Sequence, residues 1–362
     1  DEAIDDNIQI IELKTNVGAY HLKIKNEELT KANNNKPIYN NNWHTNTELN
    51  ILKKVINEYI CGRLTDGKRI FCNLILGDHR GFRDSSNSEV HVKNSIYKKC
   101  IEYPGLPTTV VKGYDLFGEE DMTHDNSVYY DDLENCKLNL YLHSGETINT
   151  LDGEKNKNLE YIVKLASKNT KIPPKYDDVP EDKVRKIRVG HGIALAKNKS
   201  LQCDFKQHNI HVELCPLSNY ILDYTPILSE HPGKQFYDNG IRVSINTDDP
   251  SIFGYHYLSV EWFYIIMAWN LLIDDIYKIC IYSIEDSSLS LANIEKVKNI
   301  FIEKFNLWRD KYKDSFNELK NNACKLYMKN GTINWYSDII YQNKYLKYKT
   351  KYLEMKKKLN VN

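Results

Sequence analysis

The residues best suited to chemistry stand at the ends of short apolar runs. "LYLHSGE" finishes on His143, Gly145 and Glu146, "RVGHG" on His191 between two glycines, and "VSINTDDP" on Asp248 and Asp249. Each has a plain structural reading. A histidine closing a strand is commonly a packing residue, "DDP" suits a helix N-cap whose carboxylate accepts orphan N–H groups, and "GHG" suits a tight turn. Their recurrence in successive strands favours function. Two imidazoles and three carboxylates facing one site are costly to strip of water unless a cation or a substrate compensates. The flanking glycines let a ligand approach the backbone.

Histidine and aspartate are good donors to a divalent ion such as zinc, which makes His143 and Asp248 the candidate metal ligands. Such an ion lowers the pKa of bound water from about 15.7 towards about 7. Glu146, three residues past His143, is the candidate for exchanging protons with substrate and water. His191 is the candidate for orienting the attacking water and stabilising its charge, and Asp249 for accepting a hydrogen bond from the substrate. The reaction class these groups suit is metal-assisted hydrolytic addition.

Seven β-rich runs must carry these residues: 8–17, 70–78, 108–116, 136–146, 187–192, 210–219 and 241–249. Segments with helical spacing separate them, so the expected class is α/β with a parallel sheet. Over 47–64, Leu49, Leu52, Ile56 and Ile60 fall on one helical face, and 258–272 reads as a mostly buried helix. Reactive groups at the C-terminal ends of several strands favour a (β/α)8 TIM barrel over an open doubly wound sheet. Seven strands is one short of closure. No GxGxxG or GxxxxGK[ST] pattern accompanies them, so dinucleotide and P-loop chemistry have no support.

Residues 25–46 and 165–183 read as a polar insert and a proline-bearing loop. From about 338, Tyr341, Tyr345, Tyr348, Tyr352, Met355 and Leu359 form an amphipathic seam with a basic flank. Two uses are open for it, a solvated or self-associating helix and contact with an anionic partner. Lys+Arg and Asp+Glu both number 49, so no global charge directs the chain to nucleic acid or membrane. The 8 cysteines include no CxxC pair and are expected as buried free thiols. No apolar run approaches the ~20 residues of a membrane span. The chain starts at Asp1 and not at Met, which leaves any targeting signal open.

"LHSGE", "RVGHG", "VELCPLSN" and "VSINTDDPSIFG" occur here in the order in which they occur in adenosine deaminases, which are metal-dependent (β/α)8 amidohydrolases. With "DHR" at 78–80, "GYDLFGEED" at 113–121 and "YHYLSVEWFYIIMAW" downstream, the chain most resembles the growth-factor-type, typically extracellular branch, from about residue 8 to about 318. The resemblance implies zinc bound by His143 and Asp248, with Glu146 protonating the purine at N1 and His191 beside the attacking water. It also implies that Asp249 holds N7, that the Gly118 backbone meets N3, and that Asp115 is a support. The implied reaction converts adenosine, or 2'-deoxyadenosine, to inosine and ammonia. A free nucleoside is the implied partner, and nucleic acid is not, since the PCxxC motif of base-flipping zinc deaminases is absent. A homodimer is one assembly the resemblance allows.

The chain departs from the family in one respect. The family's other two zinc ligands form a His-x-His at the end of its first strand, and none exists here; His208 and His211 have two residues between them. The expected domain is therefore a partial barrel over 1–330, its first strand absent, followed by a tail over 338–362. Two accounts are open, an incomplete or split chain and a degraded gene, and residues 1–362 alone are expected to deaminate little or not at all. The alternatives are a catalytically silent purine-binding or growth-factor-like protein and a deaminase of another adenine derivative. The Tyr/Lys-rich ending resembles those of giant DNA virus proteins.

Overall fold

The computed structural model describes residues 6–16, 70–81, 86–102, 110–147, 157–168, 185–254 and 257–330, with a few isolated positions before residue 57. The insert at 25–46, most of 165–183 and the tail from 338 lie outside the described residues. The chain divides into two compact units, one of residues 8–143 and 168–187, the other of 1–7, 144–167 and 188–362.

The first unit holds β1 (Ile10–Thr15), β2 (Phe71–His79), β3 (Val111–Phe117) and β4, which spans Asn139–Ser144 and runs to the unit's edge. β1 pairs in parallel with β2 from Ile10↔Phe71 to Thr15↔Leu76, and β2 with β3 as far as His79↔Phe117. β3 continues to β4 through Gly113↔Asn139 and Tyr114↔Leu140. Parallel neighbours cannot be joined by a hairpin, so every strand is followed by a long connection. β2 is buried from Cys72 to Asp78, as a strand covered on both faces must be. Its one buried charge is neutralised locally. Asp78 accepts from Lys99 Nζ at 2.7 Å, Tyr114 Oη at 2.8 Å and Ser95 Oγ at 3.0 Å, the serine coming from α1 (Ser86–Ile96). Leu49 and Ile56 of the expected helical face are buried, while Ile60 lies outside the described residues.

The second unit holds β5 (Ile187–His191), β6 (His211–Leu214) and β7 (Val243–Ile245), again parallel, with Arg188↔His211 and Val212↔Val243 in register. All seven expected strands are thus present. The helices here are α2 (Lys157–Ser167), α3 (Lys199–Gln207), α4 (Pro216–Ile221), α5 (Gly233–Asp238), α6 (Leu258–Ala268), α7 (Ile273–Glu285) and α8 (Leu291–Asn330). α2 buries Leu159, Ile162 and Leu165, one apolar stripe at helical spacing. α3 starts on Asn198, whose side chain accepts from Leu201 N at 3.0 Å. α6 corrects the sequence reading: it is not mostly buried. Only Glu261 and Ile265 of the helix are buried, with Trp269 just beyond its end, while Phe263 is 60% exposed. Residues four apart form one inward stripe, and apolar residues off that stripe face outward whatever their hydropathy. Among the described cysteines, Cys72, Cys100, Cys136 and Cys215 are buried free thiols as expected, but Cys203 is exposed.

The N-terminal ends of β5, β6 and β7 are clamped to the C-terminal end of α7. Arg188 Nε meets Glu213 Oε1 at 2.6 Å, and its guanidinium donates to the Asp286 carbonyl. His211 Nδ1 and Arg242 Nε reach Asp286 Oδ2 at 2.7 and 2.6 Å, and Arg242 also reaches Glu285 at 2.8 Å. His211 therefore serves the base of the sheet. Burial raises the Asp286 carboxyl, but its bonds to His211 and Arg242 outweigh that and hold it at about 2. A depressed carboxyl stabilises the fold above its unfolded pKa and loses that contribution as pH falls through the folded value. We expect Asp286→Asn to cost about 2 kcal/mol at neutral pH and to flatten the loss of stability between about pH 4 and pH 2. Urea unfolding midpoints across that range check this; an unchanged midpoint at neutral pH overturns it.

Candidate active site

At the opposite, C-terminal ends of β5 and β7 the backbone turns left-handed at the residues that carry the chemistry. His191 has φ +63° and is followed by Gly192 at φ +62°, and Asp248 has φ +55°. Non-glycine residues seldom adopt this conformation, which costs on the order of 1–3 kcal/mol and persists only where the surroundings hold it. At β5 the holding is visible. Gly192 N donates to the Ser144 carbonyl at 3.1 Å, and Ala194 N donates to the Gly145 carbonyl at 2.9 Å. A Cβ on Gly192 would stand 3.0 Å from Val212. Gly145, at φ +70°, turns the chain between Ser144 and Glu146.

These turns bring Glu146, His191 and Asp248 together. His191 is buried, and its Nε2 lies 3.6 Å from Glu146 Oε1 and 3.8 Å from Asp248 Oδ2. The two carboxylates are partly exposed, at 17% and 20% of their side chains, so they face an accessible space while the imidazole backs it. Ser218 Oγ donates to Asp248 Oδ2 at 2.6 Å. On its other edge His191 Nδ1 meets Asn219 Nδ2 at 3.0 Å, and Asn219 Oδ1 meets His231 Nε2 at 3.1 Å. Asp249 sits at the N-cap of the one-turn helix Pro250–Phe253, as "DDP" suggests, but its side chain makes no capping bond. The cap is made by its carbonyl, which accepts from Ile252 and Phe253.

His143 and Gly118 belong to the first unit. His143 closes β4 with Nδ1 at 2.8–2.9 Å from the Asp115 carboxylate, which also accepts the His143 backbone N–H at 3.1 Å. Lys14 Nζ stands 3.4 Å from the same carboxylate. Burial raises the Asp115 carboxyl, yet His143 and Lys14 together hold it well below the usual carboxylate range. An ionised carboxylate only accepts, so Nδ1 of His143 carries a proton, and in the neutral ring Nε2 carries the lone pair. Asp115 thus bonds His143 through both its ring and its backbone N–H. Gly118 follows β3 at φ +125°, and a Cβ there would lie 2.9 Å from His79 Nε2. Only glycine suits that approach.

The donor chemistry fits a divalent ion. In the first unit, a histidine such as His143 whose Nδ1 is tied to a buried carboxylate is the usual preparation of an imidazole ligand; in the second, Asp248 offers a carboxylate. Ligand atoms of His191, Cys215 and Asp248 also lie within 4.8 Å of one another. His191, however, already engages Asn219 through Nδ1.

Sequence reasoning passed over four residues that hold the strand-end groups, three in the second unit and Arg80 in the first. Ser218 and Asn219 stand in the first turn of α4, where Pro216 marks the helix start. His231 lies in the loop before α5 and gives no periodic signal. Arg80, fully buried, donates to the carbonyls of Leu116 and His143 and so ties the ends of β3 and β4. Ser218 and Asn219 close the motif "VELCPLSN" and Arg80 closes "DHR", so the motifs contained three of the four without disclosing their contacts.

Residues 181–300 match the family described as adenosine deaminase. The chain is 28% identical over 296 residues to adenosine deaminase 2 of Dictyostelium discoideum, covering 79% of this chain and 46% of that protein. It is 26% identical over 278 residues to human adenosine deaminase 2, covering 75% and 47%. The chain thus spans about half the length of these curated relatives. Among solved structures, a Burkholderia ambifaria amidohydrolase with bound Zn aligns with TM-score 0.59 at 15% identity, covering 86% of this chain and 71% of that one. The Arabidopsis N6-mAMP deaminase aligns with TM-score 0.58 at 18% identity, covering 83% and 76%. Likeness at this level shows the fold alone, an α/β fold with a parallel sheet. Residues 181–300 thus match the adenosine deaminase family, in a chain that is similar to adenosine deaminase 2 proteins over three quarters or more of its length.

Proposed function

We propose that this chain belongs to a zinc-dependent deaminase that converts adenosine, or 2'-deoxyadenosine, to inosine and ammonia. The observation that carries the reading is the approach of Glu146 and Asp248 to one buried imidazole, within the stretch that runs into the family domain. In this reading His143 and Asp248 are zinc ligands, and zinc when bound supplies the Lewis acidity that makes water nucleophilic near neutral pH. The protein residues do the rest. Glu146 gives a proton to purine N1 as oxygen adds at C6, which lets the amine depart as ammonia; the sum is adenosine plus water to inosine plus ammonia. His191 steadies the attacking water. Asp249 accepts at N7 and the Gly118 backbone meets N3. The substrate is a free small molecule, and any homodimer is a separate question for sedimentation. Among the described residues no helix is long and apolar enough to cross a membrane.

A second reading, a deaminase of an adenine nucleotide, draws on the Arabidopsis N6-mAMP deaminase likeness, and one relative there was solved with IMP. Product analysis with adenosine, 2'-deoxyadenosine and N6-methyl-AMP separates the two.

Residues 1–362 contain no His-x-His. With two ligands in place of four the ion binds weakly, so we expect slow turnover from these residues alone and faster turnover from a reading frame extended upstream to such a pair. In the faster form Glu146→Gln should lower kcat by about 10²–10⁴-fold, the usual worth of a general acid. Inosine formation that is insensitive to Glu146→Gln, or no inosine from either form with zinc in excess, sinks the proposal. Asp115→Asn should weaken zinc binding by about 10–100-fold in competition with a chelating dye, because it unties His143. Unchanged affinity removes His143 from the ligand set.

A further inference from the structure

The second unit contains a chain of hydrogen bonds in which one backbone group dictates the state of a side chain several residues away. Gly233 N donates to His231 Nδ1 at 3.0 Å. A backbone N–H can only donate, so His231 Nδ1 carries a lone pair. His231 is buried and neutral, since burial and then the nearby His191 push its pKa down to about 3. Its single proton is therefore on Nε2, which points at Asn219 at 3.1 Å and requires the amide oxygen there. The other side of the amide is then its NH2, which donates to His191 Nδ1 at 3.0 Å. An imidazole nitrogen that accepts a hydrogen bond carries no proton, so neutral His191 is protonated on Nε2. The order of donors and acceptors has no second solution once Gly233 is fixed.

The surroundings keep that order in place. Asn219 is fully buried in the first turn of α4, whose start is anchored by Leu217 N donating to Glu261 Oε2 at 3.1 Å. Trp269 stacks on the His231 ring with centroids 5.5 Å apart, and its own indole N–H is held by the Leu228 carbonyl at 3.0 Å.

We propose that Asn219 and His231 are positioning residues that lock His191 in its Nε2–H tautomer, so that the ring faces Glu146 and Asp248 as a hydrogen-bond donor and not as a metal ligand or base. The tautomer claim stands on the hydrogen bonds; its catalytic meaning rests on the deaminase reading. His191 Nε2 at 3.6 and 3.8 Å from two carboxylates is set to hold a bridging water by donating to it. It also removes His191 from the group it forms with Cys215 and Asp248, because a protonated nitrogen has no lone pair for an ion. A carboxylate at position 219 reverses the order: one oxygen still accepts from His231, the other accepts from His191 Nδ1–H, and the lone pair moves to Nε2.

The test is long-range proton–nitrogen correlation NMR on residues 1–362 labelled with ¹⁵N-histidine, about two pH units above the ordinary imidazole pKa of ~6.5. His191→Gln assigns the signal. The expected result is a protonated Nε2 and a bare Nδ1 for His191, an exchange of the two in Asn219→Asp, and the wild-type pattern retained in His231→Gln, whose amide can still donate to Asn219. A His191 protonated on Nδ1 in the unaltered chain overturns the proposal, as does Asn219→Asp that folds and leaves the pattern unchanged. If Asn219→Asp does not fold, the unaltered spectrum alone decides. In the form that deaminates, Asn219→Asp should lower kcat by about tenfold or more with KM within about twofold, the signature of an interaction made in the transition state. The correct tautomer with no purine turnover would refute the deaminase reading and leave the wiring standing; turnover with the opposite tautomer would do the reverse.

Discussion

A neutral imidazole has one proton for two nitrogens, so whatever grips one nitrogen decides what the other can offer. Two histidines, one closing a strand in each unit, are gripped by opposite kinds of group. His143 is held by the Asp115 carboxylate, an acceptor, and presents a lone pair from Nε2. His191 is held by the Asn219 amide nitrogen, a donor, and presents an N–H from Nε2. Identical side chains closing two strands thus become an electron-pair donor and a hydrogen-bond donor. The distinction is made by Asp115 and Asn219, the residues that hold Nδ1.

The sheet of the second unit separates two duties along its length. At the N-terminal ends of its strands Arg188, His211 and Arg242 are consumed by Glu213, Glu285 and Asp286, a network whose work is to hold α7 against the strands. At the C-terminal ends the carboxylates of Glu146 and Asp248 are partly open to solvent. The division suits a parallel sheet, where all strands arrive at the same edge and loops can vary there without loosening the base.

Much of this was readable beforehand, for a physical reason. The seven strands announce themselves as short β-rich apolar runs that end in glycine or a polar group, with segments of helical spacing between them. Glu146, His191 and Asp248 were readable because they stand where such runs stop. Asn219 and His231 were not, because a hydrogen-bond relay obeys no sequence period; one lies in a helix turn and the other in a loop. α6 misled for a related reason. Its residues are apolar around most of the circumference, so the sequence does not say which stripe turns inward, and Phe263 was counted with the core although most of it is exposed. The pairing of His143 with Asp115 joins two strands 28 residues apart, a contact that spacing alone does not disclose.

The left-handed backbone at Asp248 has a bearing on how such a protein can drift. Among residues with a Cβ, asparagine and aspartate tolerate that region best, whereas β-branched and bulky residues resist it. The exchange that the main chain opposes least at this position is therefore aspartate for asparagine, which keeps the shape and removes the charge. One such step would remove the charge beside His191 while leaving the fold almost untouched.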